Sequence, residues 1–200
     1  MRTDKARLPL PGGTLVERVL AQVDDLFDEV LISVSRAQAG AFPGRRTVVD
    51  GIAGLGPIAG ILAGLKAARN ETCAVLACDI PEIDSRLLRT LVRKAEGHDV
   101  AVPVTAEGLL EPLFAVYMKG LVPLIEGSIR AGELSLLPLI EVARTLKVKM
   151  GKRNRLRNLN TPEDYEAYLS SLPASAVTDR PSGKGRRTGP APSPRKPGRR

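Results

Sequence analysis

Two acidic residues close short apolar runs, and that placement is where chemistry enters this sequence. The run Thr72-Cys73-Ala74-Val75-Leu76-Ala77-Cys78 is followed at once by Asp79-Ile80-Pro81. Its apolar and small side chains suit a strand buried on both faces, and Pro81 stops it, having no N–H and disfavouring helix at Ile80. Asp79 thus falls at the carboxyl end of a central parallel strand, the edge where open α/β sheets bind ligands. A carboxylate there can hold Mg²⁺ against a substrate's phosphates, since hard cations take oxygen ligands. The alternative is an Asp that only begins the turn, or caps the helix starting near Asp84. Asp50 repeats the pattern after Thr47-Val48-Val49. Asn158 and Asn160 would project two amides from one side of an extended segment. Lys5 is the notable residue of an irregular opening.

Composition narrows the classes. Two hundred residues, 43% hydrophobic, suffice for one core, and with 3% aromatics and no Trp that core must be Leu/Val/Ile/Ala. No apolar run is long enough to span a membrane and no signal-like leader opens the chain, so a cytoplasmic protein with no membrane contact is expected. Cys73 and Cys78 cannot pair along one strand, and His98, the lone histidine, lies between Gly97 and Asp99 in a loop. The net charge of +8 is misplaced: residues 174–200 hold eight Lys/Arg against Asp179, leaving +1 for residues 1–173. A segment so rich in Pro, Gly and Ser buries too little apolar surface to offset its ordering entropy. The expected division is a domain at 1–173 and a disordered basic tail at 174–200. Without aromatics for base stacking, nucleic acid is not the expected partner of that tail.

The elements needed to position these residues follow from pattern. Thr14 and Glu17 form a capping box ahead of the stripe Leu15, Val19, Val23, Leu26. Strands are expected at Glu29–Val34, Thr47–Val49, Cys73–Cys78, Asp99–Val104, Glu111–Tyr117 and Thr145–Met150. Helices are expected from Pro57, over Ser85–Ala95, over Gly120–Ala131, onward to Ala143, and after Thr161-Pro162. Pro103 marks a strand end or edge. The glycines from Gly51 to Gly64 match neither a P-loop nor a dinucleotide fingerprint, though the loop Gly51–Gly56 could bring backbone near an anion. Gly60 and Gly64 read as close packing of helix on sheet. The alternation predicts an α/β layered fold with a mostly parallel sheet.

Taken together, the motifs resemble the molybdenum cofactor guanylyltransferases, of the MobA-like nucleotidyltransferase group. Seven pieces come in the family's order: Asp4-Lys5-Ala6, Leu15–Val19, Asp50 with Gly56–Gly60, Cys78-Asp79-Ile80-Pro81, Glu111–Tyr117, Ala131–Leu136 and Asn158–Glu163. They cover residues 1 to about 170. The resemblance implies a three-layer Rossmann-like nucleotidyltransferase fold. It implies transfer of GMP from GTP to Mo-molybdopterin with release of pyrophosphate, and Mg²⁺ as cofactor. By the same resemblance Lys5 would contact the GTP phosphates, Asp50 would lie in the guanine nucleotide pocket, and Asp79 would bind Mg²⁺ and nucleotide. Asn160 and Asn158 would line the pterin side. A molybdoenzyme or a cofactor-insertion protein would be a further partner.

The chain departs from that pattern in three places. Ser33 and Ser35 stand where some members carry Asn, and Leu134 replaces an Arg. The family opens with a strand and Leu-x-Gly-Gly-x-Ser-x-Arg-Met-Gly-x-Asp-Lys, onto which Met1 falls at the motif's Met and Arg2 at the Gly that follows it. The expectation is a sheet with its first strand missing, from a start codon assigned too late, and weak GTP binding if the chain begins at Met1. Rival readings are a CTP- or sugar-phosphate nucleotidyltransferase, an inactive binding protein of the same fold, and a nucleic-acid binder acting through the tail.

Overall fold

The residues described in the computed structural model are 5–51, 54–151, 154 and 156–173, so the tail at 174–200 lies outside them. A small hairpin, β1 (Pro9–Leu10) with β2 (Gly13–Thr14), turns at Gly12, whose φ of 87° is readily reached by glycine. It feeds α1 (Leu15–Val23), started by the reciprocal capping box of Thr14 and Glu17. Then follow β3 (Ile32–Val34), β4 (Thr47–Val49), α2 (Pro57–Ala67), β5 (Thr72–Leu76) and α3 (Ser85–Lys94). The chain continues through β6 (Val100–Val104), β7 (Phe114–Met118), α4 (Val122–Arg130), α5 (Leu136–Val142), β8 (Thr145–Lys149) and α6 (Pro162–Ser171).

The sheet is mixed, which corrects the expectation of a mostly parallel one. β5-β7-β6-β8 form one four-stranded ladder in which β7 runs antiparallel to both β5 and β6, and only β6 and β8 are parallel. β3 and β4 form a separate parallel pair. Asp79 therefore follows a strand that is neither parallel to its neighbour nor central in its ladder. Pro103 is accommodated inside β6 because pairing with β7 covers only Val100 and Ala101, while β8 runs along the other side. β3 is shorter than expected: the Glu29 carboxylate accepts from the Arg69 backbone N–H at 2.8 Å and its Nε at 3.0 Å, and pairs with Arg46.

Alternation along the strands builds the layers. Val100, Val102, Ala115 and Tyr117 face Ile58, Ile61, Leu65, Ile125, Leu139 and Ile140 from α2, α4 and α5. Ala101, Phe114 and Val116 face Leu87, Leu88 and Leu91 of α3. A third cluster joins Leu8, Leu10 and Leu15 to Leu159 and Tyr168, seating α6 beside the N-terminal hairpin. Among the described residues β3 and β5 each pair on one edge only. A cavity of about 1370 Å³ is lined by Ile32, Ser33 and Val34 on one side and Thr72 to Leu76 on the other. No helix among the described residues is long and apolar enough to cross a membrane.

Candidate active site

Three segments converge on Asp79. β5 and β7 pair as far as Leu76 and Phe114, and the turns beyond the two strands leave Glu111 near enough to Asp79 to feel its charge. The ladder contact persists past the strands, the Ala77 N–H donating to Leu113 O at 2.8 Å. Glu111 opens the tight turn Glu111-Pro112-Leu113-Phe114, closed by the Phe114 N–H on Glu111 O at 3.1 Å. The third segment is Asn158-Leu159-Asn160, where the Leu159 N–H donates to Asp79 O at 2.8 Å. Leu159 is buried in the α6 cluster, so its two asparagine neighbours turn the other way.

Asp79 is not a helix cap. That role belongs to Asp84, whose carboxylate accepts from the backbone N–H groups of Arg86 at 3.1 Å and Leu87 at 2.9 Å. The Asp79 side chain instead lines the large cavity, and so do Asp50, Ser33, Gly54 and Gly56. The Asp50 N–H donates to Val34 O at 2.9 Å, which fastens the end of β4 to the end of β3. Gly56, at φ 68°, begins α2 with no side-chain cap. The first amides of that helix thus lie at the cavity, where backbone N–H groups favour an anion. Gly60 packs as expected, since a Cβ there would meet Ser33 Oγ at 2.9 Å. Gly64 has open space instead and borders the cavity.

The Glu111 carboxyl is held above the usual range, first by burial and then by the Asp79 charge, against the lowering effect of its hydrogen bond with the Asn158 side chain. Asn158 Oδ1 is buried with no hydrogen-bond partner. Asn160 is exposed, its N–H donating to Asp164 Oδ2 at 3.1 Å. Just beyond Pro81, Glu82 accepts from Tyr168 Oη at 2.6 Å and from Arg18 at 2.6 Å. Burial raises the Glu82 pKa, but these two donors outweigh it and leave the carboxyl below its ordinary value. The guanidinium groups of Arg18 and Arg157 lie over the Tyr168 ring at 5.8 and 5.5 Å. Helix α6 is in this way tied to the loop that carries Asp79.

Of the residues singled out from sequence, Asp50 and Asp79 share one cavity, and Asn158 adjoins Asp79 on its other side with Asn160 next along the strand-like segment. The Lys5 side chain lies outside the described residues, although Ala6 next to it borders the cavity. Glu111 was legible only as part of a motif and was given no role. The described residues contain no cluster of three or more His, Cys, Asp or Glu able to hold a metal. Cys73 and Cys78 are free thiols.

Residues 1–147 match the family model of the MobA-like NTP transferase domain. The chain belongs to that family. Among its relatives is a protein of Pelotomaculum thermopropionicum named "probable molybdenum cofactor guanylyltransferase". It is 37% identical over 171 residues, which is 82% of this chain and 83% of the relative. The molybdenum cofactor guanylyltransferase of Pseudomonas entomophila is 37% identical over 164 residues, 80% of this chain and 86% of its own. In three dimensions the chain is similar to molybdopterin-guanine dinucleotide biosynthesis protein A from Archaeoglobus fulgidus. The TM-score is 0.73 at 24% identity, covering 84% of this chain and 90% of the other. The 2-C-methyl-D-erythritol 4-phosphate cytidylyltransferase of Thermus thermophilus follows at TM-score 0.64 and 20% identity, covering 83% and 92%. At those identities the two structures show a shared α/β nucleotidyltransferase fold. The hollow itself runs the length of β3 and β5 and is lined largely by apolar side chains, with Asp50 and Asp79 among its few acids.

Proposed function

We propose that the protein is a molybdenum cofactor guanylyltransferase, joining GMP from GTP to the phosphate of Mo-molybdopterin to give the guanine dinucleotide cofactor. The observation that carries this reading is the identity of 37% with guanylyltransferases over four-fifths of the chain. The shared cavity of Asp50 and Asp79 supports it. In the reaction a phosphate oxygen of the pterin attacks the α-phosphorus of GTP, the α–β phosphoanhydride bond breaks, and pyrophosphate leaves. That oxygen is already anionic, so no general base is required of the protein. Its work is in-line positioning and stabilisation of charge.

Asp50 orients the nucleotide within the cavity, and Lys5 offsets charge developing on the phosphates. The α2 amides beginning at Gly56 offer further donors to those phosphates. Asn158 and Asn160 face the pterin. Two carboxylates on one hollow suit Mg²⁺, which binds through one or two carboxylates and substrate phosphates rather than an all-protein cage. Asp79, with Asp50 within the same cavity, would hold it, and when bound the ion supplies neutralisation of phosphate charge. The setting is cytoplasmic, and the product passes to a molybdoenzyme or a cofactor-insertion protein.

The cytidylyltransferase-like fold favours CTP as the one rival nucleotide worth testing. Pyrophosphate release is therefore to be measured with Mo-molybdopterin, Mg²⁺ and either GTP or CTP. The expected result is release with GTP only. Release with CTP alone would assign the chain to the sister activity, and release with neither would leave a binding protein of the same fold.

A further inference from the structure

Helix α3 carries cations and no anion: Arg86, Arg89, Arg93 and Lys94 are all exposed. Leu87, Leu88 and Leu91 are buried against the sheet. At about 3.6 residues per turn, Arg86, Arg89 and Arg93 fall on one stripe opposite that buried face. Among the described residues no ion pair involves any of these four side chains, whereas Arg18, Arg45, Lys66 and Arg144 each meet a carboxylate. Like charges three and four residues apart cost helix stability, so the stripe does not account for the stability of α3 itself.

The segment fastened to the start of α3 has the same sign. Residues 144–157 hold seven Lys/Arg and no Asp or Glu, although residues 1–173 as a whole carry only +1. Within that segment the Asn154 amide donates to the carboxylate of Asp84, the N-cap of α3, and Leu156 packs with the helix's leucines. The cations are segregated, not spread. Val92 is exposed beside Arg89 and Arg93. An apolar side chain among the cations suits a protein surface better than a phosphate backbone, and α3 has no aromatic on which a base could stack.

We propose that the exposed face of α3 docks an acidic protein surface, Arg86, Arg89 and Arg93 pairing with carboxylates spaced along a partner helix. Each guanidinium can meet a carboxylate through two parallel N–H donors. Arg86 to Arg93 spans about 10 Å along the axis, which Asp or Glu at i, i+3 or i+4, and i+7 of a partner helix would match. Complementary charge of this kind fixes orientation and speeds encounter. The surface stands apart from the question of which nucleotide the protein uses.

The test is fluorescence anisotropy of the full chain with a labelled amphipathic peptide of about 18 residues, Glu at i, i+3, i+4 and i+7 on one face, and with its Gln counterpart. R86E/R89E/R93E is compared with R186E/R187E/R195E, which makes the same charge change in the tail. The wild type should bind the Glu peptide about tenfold or more tighter than the Gln peptide. The α3 variant should lose that margin, and the tail variant should stay within about twofold of wild type. Equal losses in the two variants, or no preference for the Glu peptide, would overturn the proposal. Tighter, α3-dependent binding of duplex DNA would overturn it in favour of nucleic acid, and a wild-type dimer that the α3 variant dissociates, read by sedimentation, in favour of a second copy. Arg89 and Arg93 also border the hollow, so the GTP Kd is measured alongside. It should hold within about twofold, and a matching loss would assign these cations to the nucleotide instead. Should the charge reversal fail to fold, as read by circular dichroism, R86Q/R89Q/R93Q carries the same decision.

Discussion

Replacing Tyr168 by Phe isolates the tie between α6 and the Asp79 loop. The ring is 2% exposed and packs with Leu8, Leu10, Leu15 and Leu159, and Phe keeps all of that packing. What is lost is one hydrogen bond of 2.6 Å to the Glu82 carboxylate. A bond to a charged group contributes roughly 1.5–3 kcal/mol when shielded. The Glu82 side chain is 52% exposed and also bonded to Arg18, so water and arginine recover part of it. About 1 kcal/mol remains. With a urea slope of about 2 kcal/mol per molar, that is a fall in midpoint of about 0.5 M at pH 7. Glu82 titrates below its ordinary value, so its contribution is present above the unfolded pKa and lost as pH falls through the folded one. The wild type and Y168F should therefore converge in acid, below about pH 4. Urea melts of both proteins at pH 7 and in acid decide it. A difference at pH 7 below about 0.3 kcal/mol, or one that persists unchanged in acid, would refute this account of α6 docking.

Other consequences are simpler to state. Gly64→Ala, which meets no atom within 4 Å, should gain helix stability of about 0.5–1 kcal/mol, while Gly60→Ala meets Ser33 Oγ at 2.9 Å and should show no such gain. Thermal melts of the two variants side by side measure the difference. Asp84→Ala removes the α3 cap and should cost about 1 kcal/mol in the same melts, without the large loss of turnover expected at Asp79. Asp50→Ala should weaken GTP binding about tenfold or more and leave molybdopterin binding within about twofold, as read by calorimetry.

What was legible in the sequence is mostly what is local. Thr14 with Glu17, and Thr161 with Pro162, mark helix starts by chemistry confined to a few residues, and both helices begin there. Asp50 and Asp79 could be placed at strand ends because an apolar run stopping at an acid is visible without a partner strand. Strand direction was not legible. Nothing within Phe114–Met118 states that it runs antiparallel to β5, because its buried faces have the same composition either way. The nearness of Glu111 to Asp79 joins residues far apart in sequence across two turns, and it has no local trace. Pro103 read as a strand end or edge, and it lies next to the last residue of β6, beyond the point where β7 stops pairing. The Tyr168–Glu82 bond joins residues 86 positions apart and has no local trace.

The measurement that bears most directly on the central claim is transfer of label from α-³²P GTP to Mo-molybdopterin by the wild type and by Asp79→Asn, with melting curves of both. The account predicts transfer by the wild type, a fall of about 100-fold or more in D79N, and nearly equal melting temperatures, because Asp84 and not Asp79 caps α3. Undiminished transfer by D79N would contradict it.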